Sequence, residues 1–296
     1  MKTLLVTGNG QLARSLMALA PRFAELGYTP RQAARPEFDF DRPATIDAVF
    51  AATSPSIVVN AAAWTAVDLA ETERDAAARA NDTGPTRLGK LCAAADIPFL
   101  HISTDYVFDG DKGAPYVEGD QTNPTGVYGA TKLAGEKGIL GLGGKVVILR
   151  TSWVYAAEGK NFVRTMLAAA QRMNNLRVVA DQRGCPTSAM DLAQAIAEIV
   201  ARIDQGWRPS DGGIFHTAGT GDTNWYDFAL AIFAAAAPFG RPLPYVDPIA
   251  TADWPTPARR PADSRLDCHK LAAIYDVRLP EWRPSLERVV ADICHA

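Results

Sequence analysis

Residues 3–13, with the sequence TLLVTGNGQLA, decide the fold. The apolar, β-rich run predicts a strand that ends at Gly8 and Gly10, and residues 11–20 predict a helix. Glycines between a strand and a helix let a phosphate approach the backbone, and the start of the helix offers N–H groups without a partner. We therefore predict a dinucleotide site at Gly8 and Gly10, and a plain strand-to-helix turn is the alternative.

Strands and helices alternate through the first half of the chain. Strands are predicted at residues 57–60, 97–103 and 146–149, and helices at about 72–95 and 127–140. This order is typical of an α/β fold with a doubly wound parallel sheet, the Rossmann fold. One more strand belongs between residues 27 and 41, although Pro30 and Pro36 interrupt it.

The pattern changes after Arg150. Helices are predicted at about 162–171 and 189–203, with a short strand near 177–180 between them, and the proline-rich segment 238–261 is predicted to be irregular. We predict that residues 1–150 form a dinucleotide-binding domain and that residues 151–296 form mainly a smaller substrate-binding part. A strand near residues 213–217 is expected to return to the main sheet.

Composition narrows the class of protein. The 296 residues are 48% hydrophobic and 21% charged with a net charge of −3, which fits a globular protein and does not favour nucleic-acid binding. No apolar run reaches the length of about 18 residues that a membrane span needs, and no signal peptide is expected. The four cysteines lack metal-type spacing, which predicts free thiols in a reducing, cytoplasmic compartment and no metal.

The residues after the predicted second strand bear on cofactor choice. A carboxylate that holds the adenosine 2′-hydroxyl of NAD is expected about 20 residues after the glycines. Arg31 and Arg35 lie there instead, and arginine can bind a 2′-phosphate. We predict NADPH, with NADH as the alternative, and the two arginines are otherwise ordinary surface charges. Asp39 and Phe40 are candidates to contact the edge of the adenine ring.

Tyr128 and Lys132 are the strongest catalytic candidates. Residues four apart share one face of a helix, and a nearby ammonium stabilises a phenolate and lowers its pKa from about 10. Thr104 and Asp105 follow a predicted strand, where sites form in a doubly wound sheet, and the Thr104 hydroxyl is placed to hydrogen-bond a substrate carbonyl. An ordinary helix contact and a turn cap are the alternatives.

Several other residues have both a functional and a structural interpretation. Trp153 is a candidate to pack on a sugar or a base, or it fills the core. Arg260 and Arg265 are candidates to clamp a diphosphate, or they are surface charges. Asn81 is a candidate to hold water or backbone at the site, or an ordinary helix residue. His101, on a buried strand, is predicted to be a core residue and not a catalyst.

The chain resembles the dTDP-4-dehydrorhamnose reductase family of extended short-chain dehydrogenases. The resemblance rests on these stretches: NAAAWTAVDLAE (60–71), STDYVFDG (103–110), YGATKLAGE (128–136), LRTSWVYAAEGKNFVRTML (149–167), DQRGCPT (181–187) and RPADSRLD (260–267).

The resemblance implies an activity and a set of site residues. It implies NAD(P)H-dependent reduction of the C4 ketone of dTDP-4-dehydro-6-deoxy-L-mannose to dTDP-L-rhamnose by a monomer or homodimer. Thr104, Tyr128 and Lys132 would be catalytic, and Thr104, Asp105 and Trp153 would face the sugar nucleotide. The dinucleotide would contact Gly10, Gln11, Leu12, Asp39, Phe40, Ala62, Ala63 and Trp64.

Two other functions remain as alternatives. A sugar-nucleotide epimerase of the same fold would keep NAD bound and return the hydride to the same substrate. A reductase-like regulatory subunit would have no turnover, but such a chain is expected to lose the tyrosine or the lysine, and this one has both.

Overall fold

The computed structural model describes residues 1–295. Its strands are β1 (Lys2–Thr7), β2 (Tyr28–Ala33), β3 (Ile57–Asn60), β4 (Phe99–Thr104), β5 (Val146–Thr151), β6 (Val154–Tyr155), β7 (Asn175–Val179), β8 (Arg183–Gly184), β9 (Thr187–Ser188), β10 (Gly213–His216), β11 (Thr223–Asn224) and β12 (Tyr245–Ile249). Its α-helices are α1 (Gln11–Ala18), α2 (Ala20–Glu25), α3 (Pro43–Thr53), α4 (Val67–Ala70), α5 (Arg74–Ala78), α6 (Gly84–Ala94), α7 (Val127–Gly141), α8 (Phe162–Ala170), α9 (Ala189–Asp204), α10 (Trp225–Ala236), α11 (His269–Tyr275) and α12 (Trp282–His295).

The central sheet confirms the predicted α/β fold class. Among the described residues it has six parallel strands in the order β10–β5–β4–β3–β1–β2. Helices α1 and α9 cover one face, and α3, α6 and α7 pack on the other. β10 lies beside β5, with Phe215 opposite Leu149. Because all strands are parallel, their carboxyl ends meet at one edge of the sheet.

The second strand forms despite Pro30. β2 pairs only with β1 in this sheet and is therefore an edge strand, with Pro30 opposite Leu4. Proline lacks an N–H donor, so it is tolerated where one side of the strand has no hydrogen-bonding neighbour. Pro36 lies beyond the strand, which ends at Ala33.

The helix predicted at residues 72–95 is divided into three segments. A π-helical turn at Arg79–Thr83 separates α5 from α6. Pro85 stands in the first turn of α6, where its missing N–H removes a helical hydrogen bond, so the wider turn before it accommodates the proline. The turn contains Asn81, whose side chain is buried.

Part of the chain after Thr151 builds a second hydrophobic core. α8, α10 and α12 surround Phe228 and Trp282, which are 0% and 1% exposed. The prediction that residues 238–261 are irregular is wrong in part, because β12 pairs in parallel with β7. Pro248 fits there because this sheet has two strands, so each strand has a free edge.

No helix of residues 1–295 is long and apolar enough to cross a membrane.

Candidate active site

The glycine turn lies at the carboxyl edge of the sheet, as the sequence predicts. Gly8 has φ +92°, and a Cβ there would lie 3.0 Å from the Cα of Ala62, so a larger residue would be strained and crowded. A Cβ on Gly10 would meet nothing within 4 Å, which means that this face of the turn is open. No side chain caps the start of α1. Free N–H groups and an open approach fit a diphosphate.

The next two residues of the turn differ in what they can contact. Gln11 accepts a hydrogen bond from Asn161 Nδ2 at 2.8 Å, which joins the turn to the chain after β5. The Leu12 side chain is 8% exposed and packs in the core under the sheet. Leu12 therefore faces a ligand only through its backbone N–H.

The arginines after the glycine turn are already ion-paired. Arg31 Nη2 lies 2.5 Å from Glu37 Oε1, and Arg35 contacts Asp39 and Asp41 at 2.8 and 2.5 Å. All these contacts are at least partly exposed, and exposed pairs exchange partners at little cost in free energy. The arginines are therefore near enough to the end of β2 to meet a phosphate, but only after they leave these carboxylates.

The remaining residues expected at the dinucleotide lie in the loops that follow β2 and β3. Phe40 is 7% exposed and packs against Gly84, so its side chain belongs to the core. Ala62 lies against Gly8, and Ala63 is exposed. The backbone N–H of Trp64 donates to Asn81 Oδ1 at 2.9 Å.

Helix α7 brings Tyr128 and Lys132 to this edge. The Val127 N–H at its first turn donates to Glu71 Oε1 at 2.8 Å. Gly129 lets the helix lie directly on the backbone carbonyl of Tyr106, because any side chain there would collide with that oxygen. The Tyr106 ring in turn meets the Tyr128 ring edge-on, with 5.5 Å between centroids.

Tyr128 lies beside Thr104 at the end of β4. Burial raises the pKa of Tyr128 to about 12, the Thr104 hydroxyl opposes the rise, and Asp105 adds to it. The sequence predicts a lowered phenol pKa, and that expectation is not met, because loss of water around the ring outweighs the favourable contacts. A phenol with this pKa is protonated at neutral pH, but it is a weaker acid than a phenol in water.

Lys132 is turned down onto the sheet. Its side chain is 2% exposed, and Nζ donates to the Ile102 carbonyl at 2.6 Å. Nζ also lies 3.3 Å from His101 Nε2. Burial lowers the pKa of Lys132 to about 8, and the Glu136 carboxylate opposes that change.

Asp105 is almost wholly enclosed. Thr104 Oγ1 donates to its Oδ1 at 3.0 Å, and the Ser264 hydroxyl is near enough to stabilise the carboxylate. No donor among residues 1–295 makes a well-formed hydrogen bond to Oδ2. Burial raises the pKa of Asp105 to about 6. An enclosed carboxylate oxygen without a partner is a place for a hydroxyl or an ordered water.

Trp153 and Arg260, the substrate-binding candidates from the second half of the chain, each contact another side chain. The Trp153 ring stacks on Trp225 with 3.4 Å between centroids and 7° between planes, so one face is already covered. Arg260 binds Asp68 with two hydrogen bonds of 3.0 and 2.9 Å, which ties the proline-rich segment to α4. A diphosphate at Arg260 must therefore share or displace Asp68.

Three residues that the sequence does not assign to the site contact residues of it. The Gln32 side chain donates to the Gly8 carbonyl at 2.8 Å, and Asn161 holds Gln11. His101, which the sequence predicts to be a core residue, is 0% exposed and lies between Lys132 and Asn60. The place of His101 depends on the pairing of β3 with β4, that of Gln32 on the pairing of β1 with β2, and that of Asn161 on its contact with the glycine turn, so no local pattern signals them.

No group of three or more His, Cys, Asp or Glu residues in the described chain is arranged to hold a metal ion.

Comparison with known proteins identifies the family. The family model described as the RmlD substrate binding domain matches residues 1–294. A curated dTDP-4-dehydrorhamnose reductase from Sinorhizobium fredii is 43% identical over 289 residues, which cover 97% of this chain and 96% of that protein.

Two solved structures are also similar. A crystal structure of a dTDP-4-dehydrorhamnose reductase from Clostridium acetobutylicum has a TM-score of 0.89 and 34% identity, and covers 98% of both chains. That of the dTDP-4-dehydrorhamnose reductase from Bacillus anthracis, in complex with NADP, has a TM-score of 0.89 and 32% identity, and covers 99% of this chain and 100% of that one. The chain belongs to the dTDP-4-dehydrorhamnose reductase family.

Proposed function

We propose that this chain reduces the C4 ketone of dTDP-4-dehydrorhamnose to dTDP-L-rhamnose with NADPH. The observation that carries the proposal is that Tyr128 lies beside Thr104 at the end of β4, on the helix that also carries Lys132, while the open glycine turn follows β1 at the same carboxyl edge of the sheet. The family and the NADP complex of the Bacillus anthracis relative support the substrate and the cofactor.

The residues that would hold the dinucleotide follow from the open edge. Backbone N–H groups of residues 10–12 would receive the diphosphate, and Arg31 would reach a 2′-phosphate. Lys132 would hold the ribose after it turns away from the Ile102 carbonyl. When bound, the cofactor supplies a hydride to C4 of the sugar.

Tyr128 supplies the proton. Negative charge grows on the ketone oxygen as the ketone is reduced, and a phenol in contact with that oxygen transfers its proton to it. The pKa raised to about 12 keeps this proton on Tyr128 at neutral pH. The Lys132 ammonium then stabilises the phenolate that is left.

Thr104 has to change its hydrogen bond during the reaction. In the structure its hydroxyl donates to Asp105 Oδ1 at 3.0 Å and accepts from the Tyr106 N–H at 3.2 Å. To stabilise the developing oxyanion it must donate to the substrate, so the proton turns away from Asp105.

We further propose that residues 1–150 bind the dinucleotide and that residues 151–296, apart from β10, bind mainly the sugar nucleotide, with Trp153 and Arg260 contributing. The separate hydrophobic core around Phe228 supports this division, whereas α9 and α11 pack with the central sheet and would support the dinucleotide-binding part. A cytoplasmic location fits the four free thiols.

One assay tests the function against its alternatives. Purified protein is mixed with dTDP-4-dehydrorhamnose and NADPH or NADH, and the nicotinamide absorbance and the sugar product are followed. We expect stoichiometric loss of NADPH with formation of a 4-hydroxy sugar. An epimerised sugar without net loss of nicotinamide would indicate an epimerase, and no change with any keto sugar nucleotide would indicate a non-catalytic subunit.

A further inference from the structure

Four buried polar side chains form a continuous row behind the active site, across β1, β3, β4 and α7. Thr7 Oγ1 donates to Asn60 Oδ1 at 2.5 Å, and Asn60 Nδ2 lies 2.9 Å from His101 Nδ1. His101 Nε2 lies 3.3 Å from Lys132 Nζ. None of the four residues is more than 2% exposed. Buried polar groups must satisfy one another, so the protonation of each member constrains the next.

The orientation of the Asn60 amide is fixed by its neighbours. The Ala62 N–H lies 3.3 Å from Asn60 Oδ1, and a backbone N–H can only donate. Oδ1 must therefore face Ala62, which leaves Nδ2 facing His101. Because an amide nitrogen also only donates, His101 Nδ1 must accept, and a neutral ring then carries its proton on Nε2. Burial lowers the pKa of His101 well below its usual value, which keeps the ring neutral.

This tautomer places a donor against Lys132. A lysine ammonium has donors only, so the Nε2–H of His101 and the charged Nζ repel each other at 3.3 Å. A neutral amine would instead accept from Nε2–H and still donate to the Ile102 carbonyl, 2.6 Å away. The contact therefore disfavours the charged form of Lys132.

We propose that His101 is a positioning residue that controls the protonation of Lys132 through the Nε2–H tautomer that Asn60 imposes. The tautomer and the lysine protonation are properties of the chain alone. The consequence for catalysis rests on the proposed function, in which the Lys132 charge stabilises the Tyr128 phenolate.

Other ionisable groups surround Lys132 but do not take part in this row. Glu136 acts on Lys132 in the opposite direction and is bound by Arg150. Tyr128 lies one turn earlier on α7, and the groups on neighbouring segments include Asp105, Asp82 and Glu71. A substitution at Asn60 leaves all of them in place.

Asn60→Asp tests the inference because it reverses the tautomer. A carboxylate still accepts from Thr7 and Ala62, but it cannot donate, so His101 must place a proton on Nδ1. The Nε2 of a neutral ring then accepts from the Lys132 ammonium. We expect the pKa of Lys132 to rise by about one unit or more.

NMR measures both effects without any activity. The chain has four histidines, and ¹⁵N-labelled histidine reports which nitrogen of His101 carries the proton, with His101→Phe to assign the signal. ¹³C-labelled lysine reports the titration of Lys132, with Lys132→Met to assign it. We expect Nε2–H in the parent protein and Nδ1–H in Asn60→Asp.

A double-mutant cycle separates the ring from the added charge. In the His101→Phe background, Asn60→Asp acts on Lys132 only as a distant charge, so its effect on the lysine pKa should be much smaller than in the parent. A parent His101 that carries its proton on Nδ1, or an equal lysine shift in the two backgrounds, would overturn the inference.

The pH dependence of catalysis gives a second readout. If the Lys132 charge is needed, activity falls as pH rises through the lysine pKa, so Asn60→Asp should move the alkaline fall in kcat/KM to higher pH. An unmoved alkaline fall together with a raised lysine pKa would overturn the catalytic consequence. Absence of turnover in the parent protein would instead overturn the proposed function, and NMR would still decide the tautomer.

Discussion

Tyr128 and Lys132 have pKa values shifted in opposite directions by the same cause. Burial disfavours the charged form of each side chain, so it raises the pKa of the phenol and lowers that of the ammonium. At neutral pH the phenol keeps its proton and the lysine keeps its charge, whereas above about pH 8 the lysine loses that charge. At neutral pH the phenol therefore holds the proton that it would donate, and the lysine holds the charge that would stabilise the phenolate.

Thr104→Val should lower kcat without changing cofactor binding. Valine keeps the shape and removes one hydrogen bond to a developing charge, which is worth about 1.5–3 kcal/mol, or roughly 10- to 100-fold in kcat. The measurement is kcat at saturating substrate and NADPH. Thr151→Val is the matched control, since Thr151 ends the neighbouring strand and its buried hydroxyl has no hydrogen-bond partner among the described residues. A Thr104→Val enzyme with the parent kcat would remove Thr104 from the mechanism.

Arg31→Ala should raise the KM for NADPH and leave the KM for NADH nearly unchanged. The reason is that only NADPH carries the 2′-phosphate that an arginine at this position would bind. Steady-state kinetics with each cofactor measures the difference. Arg22→Ala, which removes another ion-paired arginine from the surface, should change neither KM. Equal changes for both cofactors would refute the phosphate contact.

At the residue scale, the sequence predicts what is local. It predicts Tyr128 and Lys132 as a catalytic pair because they are four residues apart on one helix. The Asn60–His101 and His101–Lys132 contacts join residues 41 and 31 positions apart, so only the strand order brings them together. The ion pair between Arg260 and Asp68 spans 192 positions and was not foreseen for the same reason.

At the element scale, a buried ion pair anchors α7 to the sheet. Arg150 on β5 binds Glu136 on α7 through Nη2–Oε2 at 2.6 Å and Nε–Oε1 at 2.9 Å, and Ser103 on β4 donates to the same carboxylate. The Arg150 and Glu136 side chains are 2% and 1% exposed. The helix that carries Tyr128 is thus attached to two adjacent strands.

Glu136→Gln should destabilise the protein strongly. It leaves the Arg150 charge buried without its partner, and breaking a buried pair in this way costs about 3–5 kcal/mol in the free energy of unfolding. Chemical denaturation followed by circular dichroism measures the change. Asp96→Asn is the control, because Asp96 pairs with Lys145 on the surface with its side chain 80% exposed. A similar small effect for both variants would mean that the buried pair does not anchor the helix.

The elements that the sequence predicts correctly are those with strong periodicity. α9 is predicted at about 189–203 and is found at Ala189–Asp204. The sequence does not predict β12 because Pro248 weakens its strand pattern. Proline fits a strand only where one edge of the strand is free, and the sheet topology alone shows that this edge is free. The π-helical turn before Gly84 was missed because its pattern continues that of the helices around it.

At the scale of the whole molecule, hydrophobic packing divides mainly between two regions. The sheet and its helices form one, and the cluster around Phe228 and Trp282 forms the other. Asn161 links them, since it begins α8 and donates to Gln11 of the glycine turn at 2.8 Å. Gln11 belongs to the expected dinucleotide site and Trp153 to the second core, which supports the proposed division of labour.

Phe228→Leu should weaken substrate binding more than cofactor binding. The Phe228 ring is 0% exposed and lies 6.3 Å from the Trp153 ring, centroid to centroid, so a smaller side chain leaves Trp153 less firmly held. We expect a higher KM for the sugar nucleotide and an almost unchanged Kd for NADPH, measured by kinetics and by fluorescence titration. Phe23→Leu, in the first core, is the control for a general loss of packing. Equal losses for both ligands in Phe228→Leu would argue against the division.

The central claim is that Tyr128 donates the proton when the keto sugar nucleotide is reduced, and kcat of Tyr128→Phe tests it most directly. Phenylalanine keeps the ring and removes only the acid, so NADPH binding should survive. General acid catalysis contributes about 10²–10⁴-fold in rate, and kcat at saturating dTDP-4-dehydrorhamnose should fall by that factor. A kcat within a few-fold of the parent enzyme would contradict the account, because another group would then donate the proton.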